Sequence, residues 1–190
     1  KFSGCDSEVR SVVTDSRSLS CELGCRPMFV AMRGANHDSH DFIAGMQSRG
    51  VRAFLVERGV EASSCTGECG FVQVDNAIEA LQRLAAYHRA QFRGTVVGIT
   101  GSNGKTVIKE WIAEELPEGM KYYRSPKSYN SQLGVPLSVL MLEGDEELAI
   151  FEAGISKPGE MERLERIIRP DAVIFTSIGD AHQENFINLE

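Results

Sequence analysis

Apolar positions follow two rhythms along the 190 residues. In the first half, short apolar runs stand between polar loops. Residues 9–15, 26–32 (RPMFVAM), 51–57 (VRAFLVE) and 70–75 (GFVQVD) predict strands. Residues 42–49 have helical spacing and stop at Gly50. Residues 76–92 predict a long amphipathic helix with Ile78, Leu81, Leu84, Ala85 and His88 on one face. Arg93 and Gly94 end it, and a domain boundary is expected there.

The second half alternates strand and helix. Strands are predicted over 95–100, 120–124, 148–153 and 172–177, and helices over 105–116, 136–142 and 159–168. Pro117 and Pro170 stop two of the helices, and Pro136 opens the third in its first turn. Strands of continuous Val, Ile and Leu separated by helices imply an α/β fold with a largely parallel sheet. Ligands of such sheets sit beyond the carboxyl ends of the strands. That rule singles out residues 101–106, 152–156 and 179–182.

The charge distribution narrows the partners. Residues 1–93 carry 11 basic and 11 acidic side chains, whereas residues 94–190 carry 9 and 16. An acidic half argues against a broad electrostatic hold on nucleic acid. It suits a small-molecule site in which a metal ion offsets the charge of phosphates. No apolar run has the length of a membrane helix. The five cysteines, Cys5, Cys21, Cys25, Cys65 and Cys69, all lie in the neutral half. An odd number without a secretion signal predicts reduced thiols in a cytoplasm. Cys21/Cys25 and Cys65/Cys69 share a Cys-x3-Cys spacing, looser than the usual zinc pairs, so buried or incidental thiols are expected.

The sharpest chemistry is VVGITGSNGKT, which ends the strand over 95–100. The strict P-loop spacing needs a glycine at 99, where Ile99 stands. Even so, Gly101, Ser102, Asn103 and Gly104 form a turn whose N–H groups can converge on phosphate oxygens, aided by the helix that follows. Lys105 is placed to reach β- and γ-phosphates, and the Thr106 hydroxyl to bind Mg²⁺. Glu152 ends a buried strand, where a carboxylate is costly unless it meets a cation or a donor. A Mg²⁺ ion would answer that need, and so would a cap or salt bridge at the strand end. His182 follows the last strand, next to Gly179 and Asp180. Asp180 and Glu184 rival it as metal ligands.

These segments resemble the Mur ligases and their folylpolyglutamate synthase relatives. GITGSNGKT resembles that family's phosphate loop, which also lacks the strict first glycine, with Ser102 for the usual Thr. YNSQLGVPLSVL, FEAGISKPGEM and TSIGDAHQENF resemble three further family segments in family order, with Ser177 for a common Asn. In the first half, VVTDSRSL and MFVAMRGANHDSHDFI resemble the family's substrate domain, with Ser39 for a usual Gly. The resemblance implies a small N-terminal α/β domain, residues 1–93, that binds a UDP-MurNAc-peptide. It implies an incomplete ATP-binding P-loop domain over 94–190.

Among family members, EAGISKPGEM and RSPKSYNSQLGVPLSV look most like those that add D-alanyl-D-alanine to UDP-MurNAc-tripeptide, especially versions fused to an alanine racemase. The diamino-acid-adding members, the folate-type relatives and a non-catalytic nucleotide-binding fragment are the alternatives. The resemblance implies ATP-dependent amide formation through an acyl phosphate in peptidoglycan precursor synthesis. Lys105, Glu152 and His182 take catalytic roles. Thr106 and Glu152 hold one Mg²⁺, and Glu152 and His182 a second. Ser16 and Arg17 contact the UDP moiety. A third domain and a carbamylated lysine follow the His segment in the family, so residues 1–190 alone are expected to be inactive. Insertion into a membrane and binding of nucleic acid are not expected.

Overall fold

The computed structural model describes residues 1–19, 26–34, 37–58, 68–177 and 179. The chain forms two compact units, Lys1–Ala80 and Leu81–Glu190.

The first unit is built on a five-stranded sheet. Its strands are β1 (Phe2–Gly4), β2 (Ser11–Val13), β3 (Pro27–Val30), β4 (Ala53–Glu57) and β5 (Gly70–Val74). The spatial order is β1-β5-β4-β3-β2. Strands β2 to β5 pair in parallel, and β1 closes the far edge antiparallel to β5, with Phe2 opposite Val72. This first strand has no signature in the sequence. FSG is short and mixed in polarity, and main-chain pairing rather than apolar patterning holds it.

A 3₁₀ turn, Ser39–Phe42, leads into α1 (Ile43–Ser48). Ile43 and Met46 of α1 pack with Phe29, Val51, Phe54, Val56 and Phe71 into one core. Phe54 and Phe71, neighbours in register on β4 and β5, stack at 5.1 Å. The Ser39 hydroxyl donates to the Met32 carbonyl and accepts from the Met32 N–H, so the serine itself locks the turn.

Helix α2 (Ala77–Arg89) follows β5 in the chain. Its buried face is Ala77, Leu81, Ala85 and Arg89. Ile78 and Leu84, expected inside, are 38% and 37% exposed. Leu81 and Ala85 of the expected face are buried, and Ala77 and Arg89 extend the inward stripe in place of Ile78 and Leu84. Arg89 takes the place of an apolar residue. Its guanidinium donates to the Ile168 and Arg169 carbonyls at 2.7 and 2.9 Å.

Among the described residues the second unit has four parallel strands: β6 (Thr95–Thr100), β7 (Tyr122–Arg124), β8 (Leu148–Ala153) and β9 (Ala172–Phe175), in the order β7-β8-β6-β9. Helices α3 (Lys105–Glu114), α4 (Gly134–Val139) and α5 (Glu160–Ile168) cover it. All six residues of β8 are buried, as a central parallel strand requires. They sort by parity. Ala149, Phe151 and Ala153 face the core that holds Val135, Val139, Leu164 and Ile167 of α4 and α5. Leu148 and Ile150 join Ile99 in the core against Ile108 and Ile112 of α3. The next residue of that second row is Glu152.

Candidate functional site

Period-two alternation sends Glu152 to the α3 side of the sheet, beside Ile99 in register, at the carboxyl end of β8. The side chain is wholly buried. Helix α3 answers with Thr106 and Lys109, one turn apart on its inward face. The Thr106 hydroxyl donates to Glu152 Oε2 at 3.0 Å. Lys109, also fully buried, brings Nζ to 2.7 Å from Glu152 Oε1. The angle there does not make a hydrogen bond, so charge alone compensates this oxygen. The cation demanded by a buried carboxylate is thus supplied within the chain, and a hydroxyl supplies the donor.

The loop between β6 and α3 gets its shape from two glycines. Gly101 has φ +132°, and a Cβ there would lie 2.2 Å from Thr176 Oγ1. Gly104, at φ +83°, starts α3 from the left-handed region. Ile99 lies two residues before this turn, buried within β6, so no glycine is needed at that position. The segment after β9 anchors the loop. Ser102 N donates to the Ser177 carbonyl at 2.8 Å, and Gly179 N donates to the Ser102 hydroxyl at 2.9 Å. Thr176 and Ser177 hydroxyls donate to the Asn103 carbonyl.

The N–H groups of Gly104, Lys105 and Thr106 meet no acceptor among the described residues. They open the helix toward a cavity of about 230 Å³ lined by Ser102–Val107, Asn130 and Glu152. Lys105 Nζ folds back onto the carbonyls of Gly101 and Ser102. A cationic side chain and a helix N-terminus share the lining of this one cavity, and both are groups that favour an anion.

The structure therefore brings together Gly101, Ser102, Asn103, Gly104, Lys105, Thr106 and Glu152. His182, Asp180 and Glu184 lie outside the described residues, as do Cys21, Cys25 and Cys65. Cys5 and Cys69 carry free thiols, one exposed and one buried. Among the described residues no three His, Cys, Asp or Glu side chains gather at a metal-binding distance.

Ser16 and Arg17 sit in the turn after β2, in the first unit. Arg17 binds the Asp15 carboxylate through its side chain at 2.9 and 3.0 Å and through its backbone N–H at 2.9 Å. These bonds, the side-chain one foremost, pull the Asp15 pKa down to about 2. The Ser16 carbonyl accepts from Arg49, which also holds the Leu19 carbonyl.

Two residues of the cavity region escape sequence reasoning. Asn130 lines the cavity, and its carbonyl accepts from Gly154 N, just past β8. Nothing in its local pattern sets it apart from the other polar residues of that loop. Lys109 does leave a trace: it falls three residues after Thr106 and four before the buried Ala113, inside the inward stripe of an amphipathic helix. A lysine in such a stripe needs a buried partner.

A parallel sheet that delivers a glycine turn, a Lys-Thr pair and a buried carboxylate to one cavity belongs to the phosphate-loop α/β class. Residues 99–190 match the Mur ligase middle domain. That stretch, just under half of the chain, is thus of the Mur ligase middle-domain family.

Relatives extend the likeness over the whole chain. The UDP-N-acetylmuramoyl-tripeptide–D-alanyl-D-alanine ligase of Bacillus subtilis is 32% identical over 96% of the chain and 38% of its own length. Its Escherichia coli counterpart is 32% identical over 100% of the chain and 40% of its own. The crystal structure of MurF from Acinetobacter baumannii superposes with TM-score 0.83 at 31% identity, over 96% of this chain and 38% of that one. MurF from Thermotoga maritima, solved in complex with ADP, gives 0.78 at 32% identity, over 92% and 39%. The chain thus spans about two fifths of the relatives it matches. Among the described residues no helix is long and apolar enough to cross a membrane.

Proposed function

We propose that this chain is part of an ATP-dependent ligase of peptidoglycan precursor synthesis, acting in the cytoplasm, that joins D-alanyl-D-alanine to a UDP-MurNAc-tripeptide. The observation that carries the reading is the meeting of Lys105, Thr106 and Glu152 at the phosphate-loop cavity. The similarity of the whole chain to dipeptide-adding relatives supports the choice of substrates. Residues 1–93 serve as the nucleotide-sugar domain, with Ser16 and Arg17 toward UDP, and residues 94–190 open the ATP domain.

In this reading the loop amides, the N-terminus of α3 and Lys105 hold the β- and γ-phosphates of ATP. The terminal carboxylate of the peptide attacks the γ-phosphorus, ADP departs, and an acyl phosphate forms. The amine of D-alanyl-D-alanine then attacks the acyl carbon, and phosphate leaves with the C–O bond electrons. Lys105 and the amides stabilise the charge that spreads over the transferring phosphoryl group.

The residues fit a divalent cation. Glu152 Oε2 and Thr106 Oγ1 are hard oxygen donors 3.0 Å apart at the cavity, the donor type Mg²⁺ takes. Thr106 and Glu152 would hold one Mg²⁺, and Glu152 with His182 a second. Bound there, Mg²⁺ supplies charge neutralisation to the phosphates.

The test is phosphate release by the full-length protein with ATP. Release that requires both UDP-MurNAc-tripeptide and D-alanyl-D-alanine is expected. Release with UDP-MurNAc-dipeptide and a diamino acid instead moves the protein to the diamino-acid-adding step. Release with neither pair overturns the ligase reading.

A further inference from the structure

Lys109 is not accounted for by the proposed chemistry, yet it is among the most costly residues in the second unit. It is fully buried, and so is its partner Glu152. Burying such a pair seldom stabilises a fold more than apolar residues of the same volume would. Its presence between α3 and β8, beside the apolar core of Ile99, Leu148 and Ile150, points to a task other than stability.

The surroundings show what the ammonium holds. It donates to the Ser125 carbonyl at 2.6 Å and to the Lys127 carbonyl at 2.7 Å. Lys127 is a non-glycine residue at φ +49°, and it lies in the segment that carries Asn130 to the cavity. Glu152 Oε1 lies 2.7 Å from the ammonium, and Glu110 Oε1 lies 3.6 Å off. Glu152 is thereby split. Oε1 faces an internal cation, and Oε2 faces Thr106 and the cavity.

The electrostatic consequence is direct. The buried pair is neutral as a unit, so the described site offers a divalent cation one carboxylate oxygen and a hydroxyl with no net negative charge. Mg²⁺ sheds water reluctantly and is ordinarily held by one or two carboxylates together with substrate phosphates. Here the phosphates must bring most of the negative charge.

We infer that Lys109 is a positioning residue that makes cation binding at Glu152 conditional on the nucleotide: by occupying Oε1 it keeps the site from taking a divalent cation alone, and leaves Oε2 aimed for one that arrives with phosphates. The inference rests on the reading that Thr106 and Glu152 take the cation.

The experiment titrates Mn²⁺ into the full-length protein without nucleotide, with free Mn²⁺ read by electron paramagnetic resonance. Wild type is expected to show no Mn²⁺ site that Glu152→Gln removes. Lys109→Met, which keeps the length of the stem and drops the charge, is expected to gain nucleotide-free Mn²⁺ affinity of at least about tenfold, lost again in Lys109→Met/Glu152→Gln. A tight nucleotide-free site in wild type that depends on Glu152 overturns the inference. So does a folded Lys109→Met protein with unchanged Mn²⁺ affinity. If Lys109→Met does not fold, the wild-type comparison decides alone. A separate calorimetric titration of ADP, with and without Mg²⁺, isolates the underlying reading. If Glu152→Gln leaves the Mg²⁺ dependence of ADP binding intact, Glu152 is not the ligand and the metal assignment itself falls.

Discussion

Two of the carboxylate–cation pairs near strand ends, Asp15–Arg17 in the first unit and Glu152–Lys109 in the second, are opposites. Asp15 and Arg17 lie two residues apart in a turn, with Arg17 89% exposed. Glu152 and Lys109 stand far apart in the chain on different elements, and neither is exposed at all. The first pair satisfies itself locally and leaves both groups within reach of solvent and ligand. The second exists only because a parallel sheet and its covering helix close on it. Local pairs of the first kind contribute little to stability because water competes for both partners. In the second, removing either partner strands a charge in the core.

The largest effect expected from this contrast is at Lys109. Lys109→Ala should lower the unfolding free energy of the second unit by roughly 3–5 kcal/mol, read by denaturant titration. Loss of less than about 1 kcal/mol would mean that water reaches Glu152 and that the pair is not truly buried. Replacing both partners, Lys109→Met with Glu152→Leu, should recover most of that loss, since an apolar pair of similar volume is commonly as stable as the ion pair. The same double variant should lose Mg²⁺-dependent nucleotide binding. Recovery of stability together with loss of binding would separate the pair's functional part from its structural one.

Gly101→Ala comes next. Its φ of +132° belongs to glycine, and the new Cβ would meet Thr176 Oγ1 at 2.2 Å and the Ser177 carbonyl at 2.8 Å. Backbone strain alone costs about 1–3 kcal/mol. The loop must also shift away from its anchor after β9, so ADP binding measured by calorimetry should be lost. An alanine variant that keeps ADP affinity would show that the loop geometry is not what holds phosphate.

What the sequence reveals follows the same division between local and long-range causes. The phosphate loop is legible because glycine, lysine and threonine act within six consecutive positions, between a strand and a helix that each announce themselves by period. Glu152 is legible as a carboxylate in an apolar run, but not as the partner of Lys109. That pairing depends on α3 lying across β6 and β8, which no local pattern states. The face of α2 is legible only in part: Leu81 and Ala85 are read correctly, but a small residue such as Ala77 is not what a hydrophobic stripe advertises. Ala77 and Ala85 go in with Leu81, whereas Ile78 and Leu84 stay half out. Strand β1 is missed because main-chain pairing with β5 needs no side-chain pattern.

The smallest effect belongs to the exposed pair, and there the readout is a titration rather than a stability. Arg17 holds the Asp15 pKa at about 2, below the ordinary 3.8. A depressed carboxylate favours the folded turn at pH values above its ordinary pKa, and that preference fades as pH falls from about 4 toward 2. Arg17→Ala should raise the Asp15 pKa only part of the way, because the backbone N–H of residue 17 still donates to Oδ1. Carboxyl carbon shifts in an NMR titration would read this directly. The substrate assignment sharpens the test. If Arg17 turns to the diphosphate of UDP-MurNAc-tripeptide, it must let go of Asp15, so saturating ligand should move the Asp15 pKa upward just as Arg17→Ala does. An Asp15 pKa unmoved by bound ligand would leave Arg17 as a partner of its own turn and remove it from the nucleotide-sugar site.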